Sequence, residues 1–307
     1  MQERLSFIIL LSTFIWALLF QYSLLWLFIV YCAIYVLISF VNKPDHKMSL
    51  YKKINFAIYG SPKENRQHYK IMIDLTPADK FLAKYNKENP DNKITYSYIA
   101  LKAMGEGMMA GENINGKLSF GNLIPVDSVD LGLLVNIKGK NLFPLSIKGC
   151  NKFGIKKLAN QSKRHVKDMK NDKSEEVKRV KTKFGAVPTS IVDILIKFST
   201  FLNYNLDLAF EREKLRKNHY GFGVISNLGN FGIYDVMPTS ADITKSNICL
   251  ILCSPKKRPF VAENGEIEIR NSFIWSMNLD NRIHNLLDSK ELCHKIKDVW
   301  ANPEKYL

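Results

Sequence analysis

The chain has 307 residues and carries 44 Lys and Arg against 29 Asp and Glu, a formal charge of +15. Its apolar fraction of 46% supports a sizeable core, and the length allows one large domain or two small ones. The five cysteines form no Cys-x-x-Cys, no His/Cys spacing suits zinc, and no Gly-rich phosphate loop is present, which sets aside zinc modules and P-loop enzymes.

The first 41 residues read as a membrane segment. Leu5 to Val41 is a run of 37 residues without a charged side chain. As one helix it would be about 55 Å long, against a hydrocarbon core of about 30 Å. The polar cluster Gln21-Tyr22-Ser23 lies near its middle. The expectation is a transmembrane helical hairpin, 5–20 and 24–41, with one long tilted helix as the alternative. Arg4 precedes the run and Lys43, Lys47, Lys52 and Lys53 follow it, so both ends belong on the positive-inside face. The run is too long for a cleavable signal, and no small-residue cleavage site follows. Residues 42–67 are mixed and basic and read as a linker; residues 68–307 read as the main domain.

In chain order, His68 to Asp74 alternates as a strand. Thr76 as cap and Pro77 in the first turn open a helix that ends near Asn89-Pro90. Thr95 caps a second helix running to about Ala110. Residues 113–121 are turn-rich. Val129 to Ile137 and Leu142 to Ile147 pair as a hairpin. A long helix covers roughly Phe153 to Val180. Its basic run, Lys163 to Lys183, interleaves acids at helical spacing as a solvated face does, and it lacks the aromatics of a nucleic-acid surface. An apolar helix spans Pro188 to Leu202. Strands follow at Phe222 to Ser226, Ile248 to Cys253, Glu266 to Arg270 and Phe273 to Leu279, then a helix from Leu287 to Trp300. This alternation implies an α/β mixed sheet covered by helices. Cys32, Cys150, Cys249, Cys253 and Cys293 read as reduced thiols, buried where they fall in apolar strands.

Four segments carry a resemblance. They are Val129-Asp130-Leu131-Gly132-Leu133-Leu134-Val135 with Leu142-Phe143-Pro144-Leu145, then Ser226-Asn227-Leu228-Gly229-Asn230-Phe231-Gly232, then Asp280-Asn281-Arg282-Ile283-His284-Asn285-Leu286-Leu287, and last Trp300-Ala301-Asn302-Pro303-Glu304. In this order, across 68–307, they resemble the catalytic domain of the 2-oxoacid dehydrogenase acyltransferases, within the chloramphenicol acetyltransferase-like superfamily. The apolar helix at 188–202 is similar to an insertion of stand-alone members. The resemblance implies a chloramphenicol acetyltransferase-like mixed sheet flanked by helices, a trimer with its channel at subunit interfaces, and coenzyme A as acyl carrier.

Acyl transfer from a thioester needs a base for the incoming thiol, a donor for the oxyanion, and a tunnel for both substrates. By the resemblance Ser226 is the oxyanion donor; read from its residues alone, it is equally a strand-end serine kept by packing. Asn281 stands where the family's histidine base stands. A carboxamide takes up no proton near neutral pH, and losing a base costs about 10² to 10⁴ in rate. Arg282 matches the family's arginine, Asn285 replaces its aspartate, and Leu286 replaces its glycine. His284 is the alternative base; on a strand, a residue three positions along faces the opposite side. His46, His68, His165, His219 and His294 read as surface or capping residues.

These readings imply a membrane-anchored, catalytically inactive acyltransferase-fold protein, a structural or accessory subunit of a membrane complex such as a respiratory one. No catalytic residue, metal or required cofactor is expected; coenzyme A remains as a weakly bound ligand. The 266 residues after Val41 leave no room for lipoyl-bearing modules. The expected partners are the membrane and either two further copies or a heteromeric complex, with no nucleic acid. The expected location is the mitochondrial inner membrane with the domain in the matrix, or else the cytoplasmic face of a bacterial membrane. The rival expectation is an active coenzyme A-dependent acyltransferase working on a membrane-proximal acceptor.

Overall fold

The computed structural model describes residues 11–12, 14–16, 24–41, 66–111, 114–119, 122–137, 141–170, 198, 200–202, 221–239, 246–262, 264–281, 283–284 and 288–307. The second leg of the expected hairpin is a helix, α1 (Leu24–Val41), of 18 uncharged residues with Leu25, Trp26, Phe28 and Ile29 exposed. At 1.5 Å per residue it is about 27 Å long, short of a hydrocarbon core of about 30 Å. Among the described residues no helix is long and apolar enough to cross a membrane. The expected hairpin is therefore not borne out. Of its first leg only Leu11, Ser12, Phe14, Ile15 and Trp16 are described, and its turn lies outside the described residues.

A seven-stranded mixed sheet carries the rest. β1 (Arg66–Asp74) is followed by α2 (Thr76–Glu88) and α3 (Tyr96–Ala110). A separate hairpin, β2 (Gly116–Ser119) and β3 (Asn122–Pro125), precedes β4 (Leu131–Ile137), β5 (Asn141–Ile147) and α4 (Ile155–Lys170). Then come β6 (Gly223–Asn227), β7 (Ile248–Leu252), β8 (Lys256–Val261), β9 (Ile267–Asp280) and α5 (Asp288–Ala301). The sheet order is β1-β9-β7-β6-β4-β5. The two central contacts, β4 with β6 and β6 with β7, are parallel; the others are antiparallel. β8 pairs only with β9. Because Ser272 faces both Asp74 and Lys256, β8 lies on the β7 side of β9, beyond a break at 253–255.

Register decides which face each residue takes, because side chains alternate along a strand. Ile71, Leu133, Ile225, Leu250, Trp275 and Met277 share the face buried under the helices, where Leu101, Met104, Leu292 and Ile296 meet them. Trp300 of α5 lies at the centre, fully buried, with its ring 5.0 Å from Phe273 and 6.1 Å from both Trp275 and Tyr96. Ser226, Ile251, Ser276 and Asn278 alternate onto the opposite face, which mixes polar and apolar side chains.

Several local expectations change. α2 begins at Thr76 rather than after it, with Leu75 at the cap position, and the Thr76 amide donates to Asp74 Oδ1 at 2.9 Å. Residues 113–121, expected as turns, contribute β2 to a hairpin. The two strands expected at 266–270 and 273–279 are one continuous β9. Arg258 donates to the Ser272 carbonyl and Ser272 Oγ to the Lys256 carbonyl, which keeps the ladder running through the polar Asn271-Ser272 pair. β8 itself was not foreseen, since Lys256-Lys257-Arg258-Pro259 reads as a loop. α4 is described to Lys170; the rest of the expected helix to Val180 lies outside the described residues, as does 188–202 apart from Phe198 and 200–202.

Candidate functional site

Ser226 sits near the C-terminal end of β6 on the sheet face opposite the helices, 8% exposed. Gly221 makes that strand possible. It has φ +71°, and an added Cβ would lie 2.2 Å from the Asp130 carbonyl oxygen, so only glycine lets the chain enter β6 beside β4. Beyond Ser226 the loop is tied down. Asn227 donates from Nδ2 to Ser97 Oγ (2.8 Å) and accepts the Gly229 amide on Oδ1 (2.7 Å). Ser254 Oγ donates to the Leu228 carbonyl at 2.7 Å. Phe231, Tyr234 and Met237 project from this loop, 56%, 45% and 56% exposed, and Lys70 pairs with Asp235 at 2.6 Å. Burial holds the nearby Cys253 thiol above its usual range.

Asn281 sits at the other end of the sheet. Asp280 closes β9, and its carbonyl accepts the amides of both Ile283 and His284 at 3.0 Å, giving a short helix-like turn. Asn281 is partly exposed on this turn, and His284 is 1% exposed beneath it. His284 thus lies on a turn rather than on the strand assumed for it from sequence. Arg282, Asn285, Leu286 and Leu287 lie outside the described residues.

A chain of hydrogen bonds fixes Asn281. Gln67 Nε2 donates to Asn281 Oδ1 at 2.6 Å, Tyr69 donates its hydroxyl to Gln67 Oε1 at 2.6 Å, and Ser289 Oγ donates to the Tyr69 hydroxyl at 3.1 Å. Gln67 and Tyr69 are two apart on β1 and so share a face. Around them, Arg66 donates to the Ser246 carbonyl at 3.1 Å, and buried Asn247 donates to the carbonyls of Ile114 and Gly116 at 3.1 and 2.9 Å. None of these residues was a candidate from sequence. β1 begins at Arg66, two residues before the strand expected from His68, so Gln67 belongs to the sheet and not to the linker. The alternation of Gln67, Tyr69, Ile71 and Ile73 was the usable signal.

The two halves of the candidate site do not meet within one chain. Ser226 is level with Ile251, which is level with Ser276 on β9. Asn281 lies five residues further along, about 17 Å at the rise of a strand.

No family model matches the chain, and no curated protein matches it. Solved structures do. The fold is similar to a probable dihydrolipoamide acetyltransferase from Listeria monocytogenes at 17% identity and TM-score 0.57, covering 87% of this chain and 96% of that one. It is similar to the dihydrolipoamide acetyltransferase of Azotobacter vinelandii at 15% identity and TM-score 0.59, covering 86% and 94%; a serine, a histidine and an asparagine of that protein were investigated for roles in its catalytic mechanism. A chloramphenicol acetyltransferase aligns over 81% of this chain and 95% of its own length at 11% identity and TM-score 0.50. This is the chloramphenicol acetyltransferase-like acyltransferase fold. Within that acyltransferase fold the chain has Ser226 on the central strand β6 and Asn281 at the turn after β9.

Proposed function

We propose that this protein is a catalytically silent user of the acyltransferase fold, serving as a structural or accessory subunit at a membrane. The observation that carries the reading is Asn281. In the Azotobacter acetyltransferase the histidine follows the serine by 52 positions and the asparagine follows the histidine by four. Here Asn281 follows Ser226 by 55 and Asn285 follows Asn281 by four. The residue in the histidine's place has no basic nitrogen, and its oxygen is engaged by Gln67. Ser226, Arg282 and Asn285 are on this reading vestigial.

The roughly 17 Å between Ser226 and Asn281 agrees with a site assembled between copies, as in the trimer that the fold resemblance implies. The uncharged run through α1, followed by Lys43, Lys47, Lys52 and Lys53, supports anchoring with the domain on the positive-inside face. In a mitochondrial inner membrane that face is the matrix side, and in a bacterial membrane it is the cytoplasmic side. Coenzyme A is retained as a ligand without turnover, and no cofactor is required.

The test is acetyl transfer from acetyl-coenzyme A to dihydrolipoamide by wild type, Asn281→His and His284→Ala. No variant is expected to turn over, since a histidine at 281 must also come within about 2.6 to 3.2 Å of a thiol to act as base. Robust wild-type activity that disappears in His284→Ala would make the protein an active acyltransferase with His284 as its base.

A further inference from the structure

An open cavity of about 630 Å³ lies between the start of α2 and the turn Pro303–Tyr306 that follows α5. α2 leaves β1 at Asp74, which pairs with Ser272 on β9. Ser272 comes eight residues before Asp280, a separation of about 26 Å along the strand, so the cavity belongs to the other end of the sheet from Asn281. Lys80 and Lys84, four apart and so on one face of α2, line it from one side. Lys305 lines it from the other. Phe81 and Pro303, both buried, supply an apolar surface between them.

The charges around this cavity do not cancel. Among the described residues that line it, Glu304 is the sole carboxylate. Its pairing with Lys84 is loose, 3.7 Å with both side chains 66% exposed, and such a pair contributes little. The neighbouring acids are engaged elsewhere. Asp79 accepts the Tyr96 hydroxyl on one oxygen and Asn271 Nδ2 on the other, at 3.0 Å. Asp298 accepts the Tyr306 hydroxyl and, at 3.0 Å, Asn302 Nδ2, which holds the turn that carries Lys305. Three ammoniums against one carboxylate leave a surplus of two positive charges, brought together from elements more than 200 positions apart. We propose that this cavity is a binding site for a phosphomonoester dianion. Such a group carries about −1.5 to −2 charges at pH 7, which matches the surplus, and its three oxygens accept from the three ammoniums. The organic part next to the phosphate rests on Phe81 and Pro303. A lipid headgroup and a soluble phosphate ester present this same chemistry. The site shares no residue with Ser226 or Asn281 and does not depend on the loss of acyl transfer.

The test is calorimetry on the detergent-solubilised full chain with three probes. Glycerol 3-phosphate is the soluble phosphomonoester, phosphatidic acid in mixed micelles is the lipid one, and phosphatidylcholine in the same micelles is the lipid without net charge. At least one phosphomonoester should bind saturably, and phosphatidylcholine should not. Binding of phosphatidic acid alone assigns the site to a lipid, binding of glycerol 3-phosphate alone to a soluble ester, and both results uphold it. Lys80→Gln with Lys305→Gln should weaken that binding about tenfold or more, the effect of losing charge-assisted hydrogen bonds. Glu304→Gln removes the opposing charge and should tighten it severalfold. Lys87→Gln with Lys93→Gln removes the same charge from exposed positions outside the cavity and should leave binding unchanged. All these side chains are exposed, so each variant should melt as wild type does. Failure of both phosphomonoesters to bind, equal binding of phosphatidylcholine, or an equal loss in the two double variants overturns the inference. None of these results bears on the silent-enzyme reading, which falls only to measured turnover.

Discussion

At the scale of single residues, Asn281 differs from a histidine in the property that matters: it cannot exchange a proton near neutral pH. The structure adds that its amide is held from behind by Gln67 rather than left to rotate. A second residue-scale effect lies at Asp74. Burial works to raise its pKa, but hydrogen bonds from Thr76 and from Arg270 outweigh it and hold the carboxyl below its usual range. Arg270 donates to Asp74 Oδ2 at 2.8 Å and also binds Glu268. A depressed carboxylate pKa adds stability that is fully present above the ordinary carboxylate range and is lost as pH falls through the folded value. Arg270→Met should lift that folded value toward normal, so acid unfolding should begin at a higher pH. Thermal melts between about pH 2 and 6 would show it; an acid limb identical to wild type would mean the ion pair contributes nothing.

At the scale of elements, α5 is held by its last turn. Trp300 is fully buried against Phe273, Trp275 and Tyr96, so Trp300→Ala leaves a large cavity in the core and should destabilise by about 3 to 5 kcal/mol. A denaturant midpoint within experimental error of wild type would contradict this packing. Gly221→Ala meets both a positive φ and the Asp130 carbonyl, and should displace the start of β6 and so Ser226. A lowered melting temperature is the expected result, and an unchanged one would show that the strand entry adapts. These elements are legible in the sequence where periodicity is strong. β1, α2, α3, the β4–β5 hairpin, β6, β7 and α5 follow from alternation, helical spacing and turn residues. β8 is not legible, because Lys256-Lys257-Arg258-Pro259 has no apolar alternation, and β9 looks interrupted at Asn271-Ser272, where the ladder is kept by partners distant in sequence. Ser226 and Asn281 were legible because the motifs lie in order. Gln67, Tyr69 and Ser289 were not, because a hydrogen-bond chain linking residues more than 200 positions apart leaves no local pattern.

At the scale of the molecule, one sheet carries the two halves of the candidate site at opposite ends, Ser226 near the end of β6 and Asn281 past the end of β9. A single copy cannot bring them together without breaking the β7–β9 ladder. On the proposed function, copies pack so that the serine end of one meets the asparagine end of another. The direct measurement is cross-linking of a chain carrying Ser226→Cys and Asn281→Cys with a bis-maleimide spanning about 8 Å, half the separation within one chain. Each single-cysteine variant serves as control for the native thiols. Cross-linked oligomers, rising to a trimer, are expected on a denaturing gel only when both substitutions are present. Cross-linking within one chain, or an uncross-linked monomer at high protein concentration, would contradict this packing.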